Sequence, residues 1–303
     1  MSAAYDVENF NRDLVRHGLI IPSSVKGAYG RGAVFEDILR RVDGLLMRVS
    51  AAEQPQEMTF PPILPRALIE KLGYLDNFPH LAGSIHSFMG SDSRARELSA
   101  MVNAAERWET LLDPTEVMLA PAACYPVYPN FSGLLPQGGR LVTVLGWVFR
   151  HEPSDEPTRL LSFRMREFIR AGCAQEVKAW RDDWLERGLQ LFRGLGLAAH
   201  SDLAADPFFG RPGKMMAAQQ LDQRLKFEIL VPVISAQQPT AVGSFNWHQE
   251  HFSSKFGFRN ADESPAHSAC MGVGLERATL ALIKAHGFDP GQWPGSVRAQ
   301  LWT

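Results

Sequence analysis

Along residues 1–55, apolar and charged positions recur at helical spacing, as in Val34-Phe35-Glu36-Asp37-Ile38-Leu39-Arg40-Arg41-Val42. This predicts an N-terminal helical segment that packs against the main domain or a partner. The stretch Glu53-Gln54-Pro55-Gln56-Glu57 is polar and contains a proline, as expected of a linker into a core that begins near residue 56. Phe60-Pro61-Pro62-Ile63 and a short helix follow, then a helical pattern over 93–112. That pattern stops at Asp113-Pro114, because a residue before proline avoids helical backbone. From there the pattern turns to strands, over 117–119, 140–150, 158–170, 225–234 and 242–246, punctuated by Pro, Gly and Asp turns. Between them, 175–197 is an amphipathic helix with Val177, Trp180, Trp184, Leu185, Leu189 and Leu191 at helical spacing. Strands separated by long insertions, without strand–helix alternation, predict an antiparallel sheet of the α+β kind.

Composition narrows the class further. With 303 residues, 45% of them hydrophobic and 21% charged, the chain can bury a full core as one large domain, alone or with an appendage. A net charge of −2 argues against a sequence-blind nucleic-acid binder, which normally carries a basic excess. The apolar run 141–149 is too short to cross a bilayer and is broken by Gly146, and no charged-then-apolar signal pattern opens the chain. The expectation is a cytoplasmic protein. Cys124, Cys173 and Cys270 are too few and too scattered for a disulfide framework, which leaves reduced thiols or a metal site.

Candidate chemistry lies in two separated runs, Phe149-Arg150-His151-Glu152 and Met271-Gly272-Val273-Gly274-Leu275-Glu276-Arg277. Glycines let backbone approach a nucleotide, and arginine is a fixed positive fork suited to phosphate oxygens. Taken singly, a Gly-x-Gly is a packing contact and an Arg-x-Glu a surface ion pair. Their order, a strand ending in Arg-x-Glu and much later a Gly-x-Gly-x-Glu-Arg opening a helix, points to an ATP site.

Phe149-Arg150-His151-Glu152, the loop 153–161 and Phe163-Arg164-Met165-Arg166-Glu167-Phe168 resemble motif 2 of the class II aminoacyl-tRNA synthetases. Gly272-Val273-Gly274-Leu275-Glu276-Arg277 resembles their motif 3, and Leu135-Pro136 is similar to the corresponding seryl enzymes. Residues 60–74 are the candidate for motif 1. The resemblance covers about 60–303 and implies a class II antiparallel sheet flanked by helices, over a catalytic domain at 56–303 with an inserted helix at about 175–197. It also implies a homodimer. By this resemblance Arg150 holds the α-phosphate, Glu152 reads the adenine amino group, Phe168 stacks on adenine, and Arg277 holds the γ-phosphate beside the Gly274 backbone. Magnesium accompanies the phosphates, with Glu228 or Glu276 as its acidic support. Without the resemblance, Phe168 reads as core, Glu152 as a turn cap and the arginines as stacked surface side chains.

Cys124, Glu167 and Cys270 fall where archaeal-type seryl-tRNA synthetases hold zinc. Two thiolates and a carboxylate leave one coordination position open, which the resemblance assigns to the substrate's amino group. On residue type alone, each cysteine reads as a small buried hydrophobe and Glu167 as a salt-bridge partner. With only some 55 residues ahead of the core and no basic surface signal, no tRNA partner is expected. The chain is more similar to the amino acid:[carrier protein] ligases, also through Tyr74-Leu75-Asp76-Asn77-Phe78-Pro79-His80-Leu81, Asp206-Pro207-Phe208-Phe209-Gly210 and Phe245-Asn246-Trp247-His248-Gln249-Glu250-His251-Phe252.

That family activates a small amino acid with ATP and transfers it to the phosphopantetheine thiol of a carrier protein. Glycine or alanine is expected here, with serine behind them, and Met215, Met216, Phe245 and Trp247 are expected to restrict the side-chain space. Lys178, Arg181, Arg187 and Arg193 on the 175–197 helix are expected to steer an acidic carrier, with an ordinary solvated helix face as the alternative. A compact seryl-tRNA synthetase-like enzyme acting on tRNA and a non-catalytic ATP-binding paralogue are the other readings.

Overall fold

The computed structural model describes residues 3–302. Its centre is a seven-stranded sheet made of β1 (Gln56–Met58), β2 (Arg140–Phe149), β3 (Ser162–Gly172), β4 (His200–Leu203), β5 (Lys226–Val231), β6 (Thr240–Gln249) and β7 (His267–Gly274). Their spatial order is β4-β5-β6-β7-β3-β2-β1. Neighbours run antiparallel except at the edge, where β1 lies parallel to β2. The main helices are α1 (Ala3–Arg16), α2 (Ala33–Ser50), α3 (Ala174–Gly194), α4 (Gly210–Asp222) and α5 (Leu275–His286). A second, three-stranded sheet joins Ile63–Pro65, Ser84–Ser87 and Asp113–Leu119. The architecture is α+β, as the strand spacing indicated.

Strand β3 sorts the molecule into two faces, since alternate side chains of a strand point to opposite sides. Phe163, Met165 and Glu167 face the front and line a cavity. Arg164, Arg166 and Phe168 face the back, where the helices pack. There Trp184 of α3 stacks on Phe168 with ring centroids 5.2 Å apart. Gly188 lets α3 settle onto the sheet: a Cβ at that position would stand 2.9 Å from Phe245 and 3.1 Å from Ile229. Helix α2 buries Phe35, Ile38, Leu39, Val42 and Leu46 in the same core as Val273 and Leu275, so the boundary drawn at residue 55 does not divide the hydrophobic interior.

The acids of α2 have a defined task. A buried arginine is costly unless paired. Glu36 reaches Arg164 at 2.6 Å and Asp43 reaches Arg166 at 2.6 Å, with Glu57 of β1 adding a contact to Arg166 at 3.2 Å. The N-terminal segment therefore neutralises the back of the strand whose front lines the cavity.

Several local expectations shift. The pattern over 93–112 forms a helix only at Asp92–Asn103, and a short 3-10 turn at Trp108–Leu111 follows a break where Ala105 takes a φ of 55°. Pro114 lies inside a strand and terminates no helix. Residues 158–161 lead into β3 as loop, and β5 ends at Val231. Residues 60–74 build part of the small sheet and a short helix, Arg66–Leu72, whereas the edge strand of the large sheet follows α2 directly.

Phe168 is fully buried against Trp184. Phe168→Ala should cost about 3–5 kcal/mol of stability through the cavity it leaves, while nucleotide affinity stays near that of the unaltered chain. Denaturant unfolding and ATP titration measure the two separately. An unchanged unfolding midpoint with weakened ATP binding would contradict this placement.

Candidate active site

The front of the sheet floors a cavity of about 450 Å³, walled by Tyr74, Tyr125, Phe208 and Met216. Strand register maps the floor. One row across the strands is Lys226, Asn246 and Cys270, and the next is Glu228, Ser244, Gly272 and Glu167. Beyond these, Gly274 lies opposite Met165, and the floor runs on to Phe163.

This far end is cationic. Arg150, just past β2, donates from Nε to the Pro121 carbonyl at 3.2 Å. Arg277, in the first turn of α5, donates from Nε to the Thr158 carbonyl at 2.8 Å. The two guanidinium groups stand 5.6 Å and 6.0 Å from the Phe163 ring centre. Burial, then repulsion from Arg150 and Arg159, pushes Arg277 down to about 10. An anion between these arginines would relieve both strains, so the arrangement suits phosphate. Gly274 lines the cavity beside them.

At the near end, single donor atoms of Cys124, Glu167 and Cys270 lie within 4.8 Å of one another, and all three residues are buried. Glu167 accepts hydrogen bonds from the backbone N–H groups of Ala123 at 2.9 Å and Cys124 at 3.3 Å. Hydrogen bonding between the two buried thiols, with burial, raises the Cys124 pKa well above the usual value, and the same contact lowers that of Cys270. Asn246 donates to Cys270 Sγ at 3.5 Å, and His248 Nε2 stands 3.5 Å from the same sulfur. Burial, then the Cys270 charge, pushes Glu167 up to about 7. Two sulfurs and a carboxylate crowded into one buried pocket form a donor set that fits a zinc ion, whose charge would favour the ionised form of all three.

A third cluster occupies the corner between β5 and α4. Lys226 Nζ bonds Asp206 Oδ1 at 2.7 Å and Glu228 Oε1 at 3.0 Å, and Gln220 of α4 donates to Asp206 at 2.9 Å. Burial opposes the Lys226 charge, but the two carboxylates outweigh it and raise its pKa. His251 also lines the cavity, and burial, then His248 and Lys255, pushes it down to about 4, leaving the ring neutral at pH 7.

Of the residues singled out from the sequence, Arg150, Arg277, Gly274, Glu228, Cys124, Glu167 and Cys270 converge on this cavity. Others do not. Phe168 points to the back of the sheet and cannot stack on a nucleotide; Phe163, five residues earlier on the front, is the aromatic beneath the arginines. Glu276 is fully buried away from the cavity, accepting from the Arg164 backbone N–H at 2.7 Å and pairing with Arg164 at 3.0 Å and Arg31 at 3.3 Å, so it has no free oxygen for a phosphate-bound metal. Glu152 sits outside the lining, 3.4 Å from Arg159.

Of the basic residues of α3, Arg181 and Arg187 are committed, whereas Lys178 and Arg193 stay exposed. Arg181 is 1% exposed, lies 4.9 Å over Phe227 and pairs with Asp182. Arg187 is held by Glu53 and Asp183, and Lys178 by Asp182 at 2.7 Å. Helix α3 packs on the back of the sheet, not at the cavity mouth. Phe245 and Trp247 face the back, where the Trp247 ring lies against His267 and beneath Lys178, and Met215 is 73% exposed, which leaves Met216 in the cavity.

Fold and site together define a class II aminoacyl-tRNA synthetase-like catalytic domain. The structure superposes on M. kandleri SerRS, solved in complex with A. aeolicus tRNASec, with a TM-score of 0.80 at 21% identity, covering 96% of this chain and 59% of that one. Prolyl-tRNA synthetase from Cryptosporidium parvum superposes with a TM-score of 0.68 at 15% identity, over 92% and 52% of the two chains. A scan against protein-family profiles finds no match.

Amino acid–[acyl-carrier-protein] ligases 1 and 2 of Bradyrhizobium diazoefficiens are each 42% identical to the chain, over 90% and 91% of its length and 84% and 83% of theirs. The type-2 serine–tRNA ligase of Methanopyrus kandleri is 28% identical over 89% of the chain but only 54% of that enzyme. The chain belongs to the amino acid–[acyl-carrier-protein] ligase family.

Because Glu276 compensates two arginines at once, Glu276→Gln should lower stability by about 3 kcal/mol or more, detectable as a shifted denaturant midpoint. A variant as stable as the unaltered chain would show that this cluster is not what holds α5 to β3.

Proposed function

We propose that the protein activates a small amino acid with ATP and transfers it to the phosphopantetheine thiol of a carrier protein. The observation that carries this reading is the pairing, on one cavity floor, of an arginine end built for phosphate with a buried Cys-Glu-Cys end built for zinc. The 42% identity to named amino acid–[acyl-carrier-protein] ligases supports it.

A carboxylate is a poor electrophile, so the first step makes it an acyl phosphate: its oxygen attacks the α-phosphorus of ATP and pyrophosphate departs. Arg150 steadies the α-phosphate and Arg277 the γ-phosphate as charge builds, with magnesium as companion of the phosphates. Phe163 takes the adenine-platform role, and Glu152 stands at the rim for the adenine amino group. Zinc held by Cys124, Glu167 and Cys270 would supply a Lewis-acid position for the substrate's amino group. Asn246 keeps Cys270 oriented, and the Ala123 and Cys124 N–H groups keep Glu167 oriented. Gly272 leaves no slack beside that carboxylate, since a Cβ there would lie 3.2 Å from Glu167 Cγ. Glycine or alanine fits this crowded end best, with serine behind them.

For the acceptor, α4 replaces α3. Met216, Gln219, Gln220 and Gln223 of this helix segment line the cavity, while Phe209, Arg211, Lys214 and Met215 are exposed around its start. An apolar patch mixed with cations suits an acidic carrier. No helix among the described residues is long and apolar enough to cross a membrane. A homodimer is what the family resemblance implies and a cytoplasmic location is the sequence expectation; light scattering and cell fractionation would test them.

Arg150→Ala and Arg277→Ala should each slow amino-acid-dependent pyrophosphate exchange about a hundredfold, the loss expected for one contact to developing phosphate charge. Near-normal exchange in either would misplace the nucleotide. Elemental analysis should find one zinc per chain, and chelation should abolish exchange until zinc returns; full activity without zinc would refute the metal role. Offering charged ATP-activated substrate to a phosphopantetheinylated carrier and to tRNA decides the acceptor: thioester on the carrier is expected, and efficient tRNA charging would overturn the reading.

A further inference from the structure

Residues 150–161 link β2 to β3 and carry the backbone against which both nucleotide arginines rest. Glu156-Pro157-Thr158-Arg159 closes as a β-turn, with the Arg159 N–H bonded to the Glu156 carbonyl at 3.0 Å and proline, whose φ is fixed, at the second position. The Thr158 carbonyl accepts from Arg277 Nε at 2.8 Å, and the Leu161 carbonyl accepts from the Arg150 backbone N–H at 2.9 Å. Arg277 donates one further N–H to the Ala241 carbonyl at 3.3 Å, which leaves three of its five donors for phosphate. Where those three point depends on where the turn stands. The dependence matters because Arg150 and Arg159 repel Arg277, so its guanidinium needs a fixed acceptor to stay in place before ATP arrives.

A connecting loop is mobile unless something holds its other side. Here the N-terminal segment holds it. Tyr29 Oη donates to the Pro157 carbonyl at 2.6 Å, one residue from the carbonyl that takes Arg277. The Gly27 carbonyl accepts from the Leu161 N–H at 2.9 Å, and the carbonyl of that same residue takes Arg150. Gly27 has a φ of 73°, and a Cβ there would stand 3.1 Å from the Arg159 carbonyl oxygen and 3.3 Å from the Leu161 nitrogen, so the two backbones meet with no room for a side chain. Arg31 ends the segment, donating to the Ser162 carbonyl at 2.8 Å and pairing with Glu276 at 3.3 Å. The outermost contact, Lys26 with Asp155 at 2.6 Å, joins two exposed side chains and adds little. Burial raises the pKa of the Tyr29 hydroxyl, which therefore keeps its proton and remains a donor at neutral pH.

We propose that residues 27–31 are part of the nucleotide site and that Tyr29 is a positioning residue, whose hydroxyl fixes the turn from which the Thr158 carbonyl aims Arg277 at the γ-phosphate. The inference rests on the placement of ATP in the ligase reading above and deepens it, giving a task to a segment that lies outside the motifs of the family resemblance. Each nucleotide arginine is backed by one N-terminal contact, Tyr29 behind Arg277 and Gly27 behind Arg150.

The test measures equilibrium affinity for ATP and for AMP in the intact chain. Tyr29→Phe removes only the hydroxyl, so ATP affinity should fall about fivefold, the scale of one lost hydrogen bond, while AMP affinity stays within about twofold because AMP has no γ-phosphate for Arg277 to hold. In an Arg277→Ala background the same substitution should change ATP affinity less than about twofold, as expected of two residues that act as one unit. Unchanged ATP affinity, equal losses for ATP and AMP, or a loss that persists in full beside Arg277→Ala would overturn the assignment, since a tyrosine that only stabilises the fold does not distinguish the two nucleotides. Should Tyr29→Phe fail to fold by circular dichroism, Gly27→Ala decides. Its added methyl pushes on the backbone of Arg159 and Leu161, so affinity for both nucleotides should fall about threefold or more, and unchanged affinity for both would overturn the proposal. Neither measurement needs an amino acid or a carrier. An unaltered chain that binds ATP yet makes no thioester would overturn the ligase reading alone, with the affinity ratios still deciding this inference, and an unaltered chain that binds no ATP would overturn both.

Discussion

The alternation of side chains along Ser162–Gly172 is the constraint on which the rest depends. One strand must present Phe163, Met165 and Glu167 to a polar cavity and Arg164, Arg166 and Phe168 to a packed interior. A one-residue slip would exchange the two sets, putting the metal-binding carboxylate among helices and the arginines beneath the nucleotide. Ten paired positions with β2 and eight with β7 hold that register from both sides.

Charge is segregated by the same rule. The front carries groups that oppose one another: two cysteines with a glutamate, and one arginine beside another. The back carries groups that cancel, with Arg164 and Arg166 each paired to acids from the N-terminal helix. Apart from the Lys226 pairs with Asp206 and Glu228, the cavity keeps groups in mutual opposition, and that is where a ligand's charge would be stabilising. The stability spent in the cavity is recovered on binding.

Much of this was legible in the chain. Arg150, Arg277, Cys124, Glu167 and Cys270 were identifiable by their order and by resemblance to a family, because they belong to runs whose residue types match the chemistry. Face was harder to read. The resemblance makes Phe168 the nucleotide platform, yet Phe168 lies one step out of phase with Glu167, and the parity of Glu167 points to Phe163. Glu276 and Arg181 look like free charges in the sequence; only the fold shows that Arg31, Arg164 and Asp182 have claimed them. The Asp206–Lys226–Glu228 cluster was missed because its members come from a loop and a strand twenty residues apart, with Gln220 of the intervening helix completing it.

The pairing of α2 with β3 also bears on how the chain is made. Glu36 bonds Arg164 across 128 residues of sequence, and Asp43 bonds Arg166 across 123. During synthesis, helix α2 emerges with its acids long before either arginine exists, and those acids stay unpaired until β3 has been made. Helix α2 therefore cannot complete these two ion pairs until the chain has grown past residue 166.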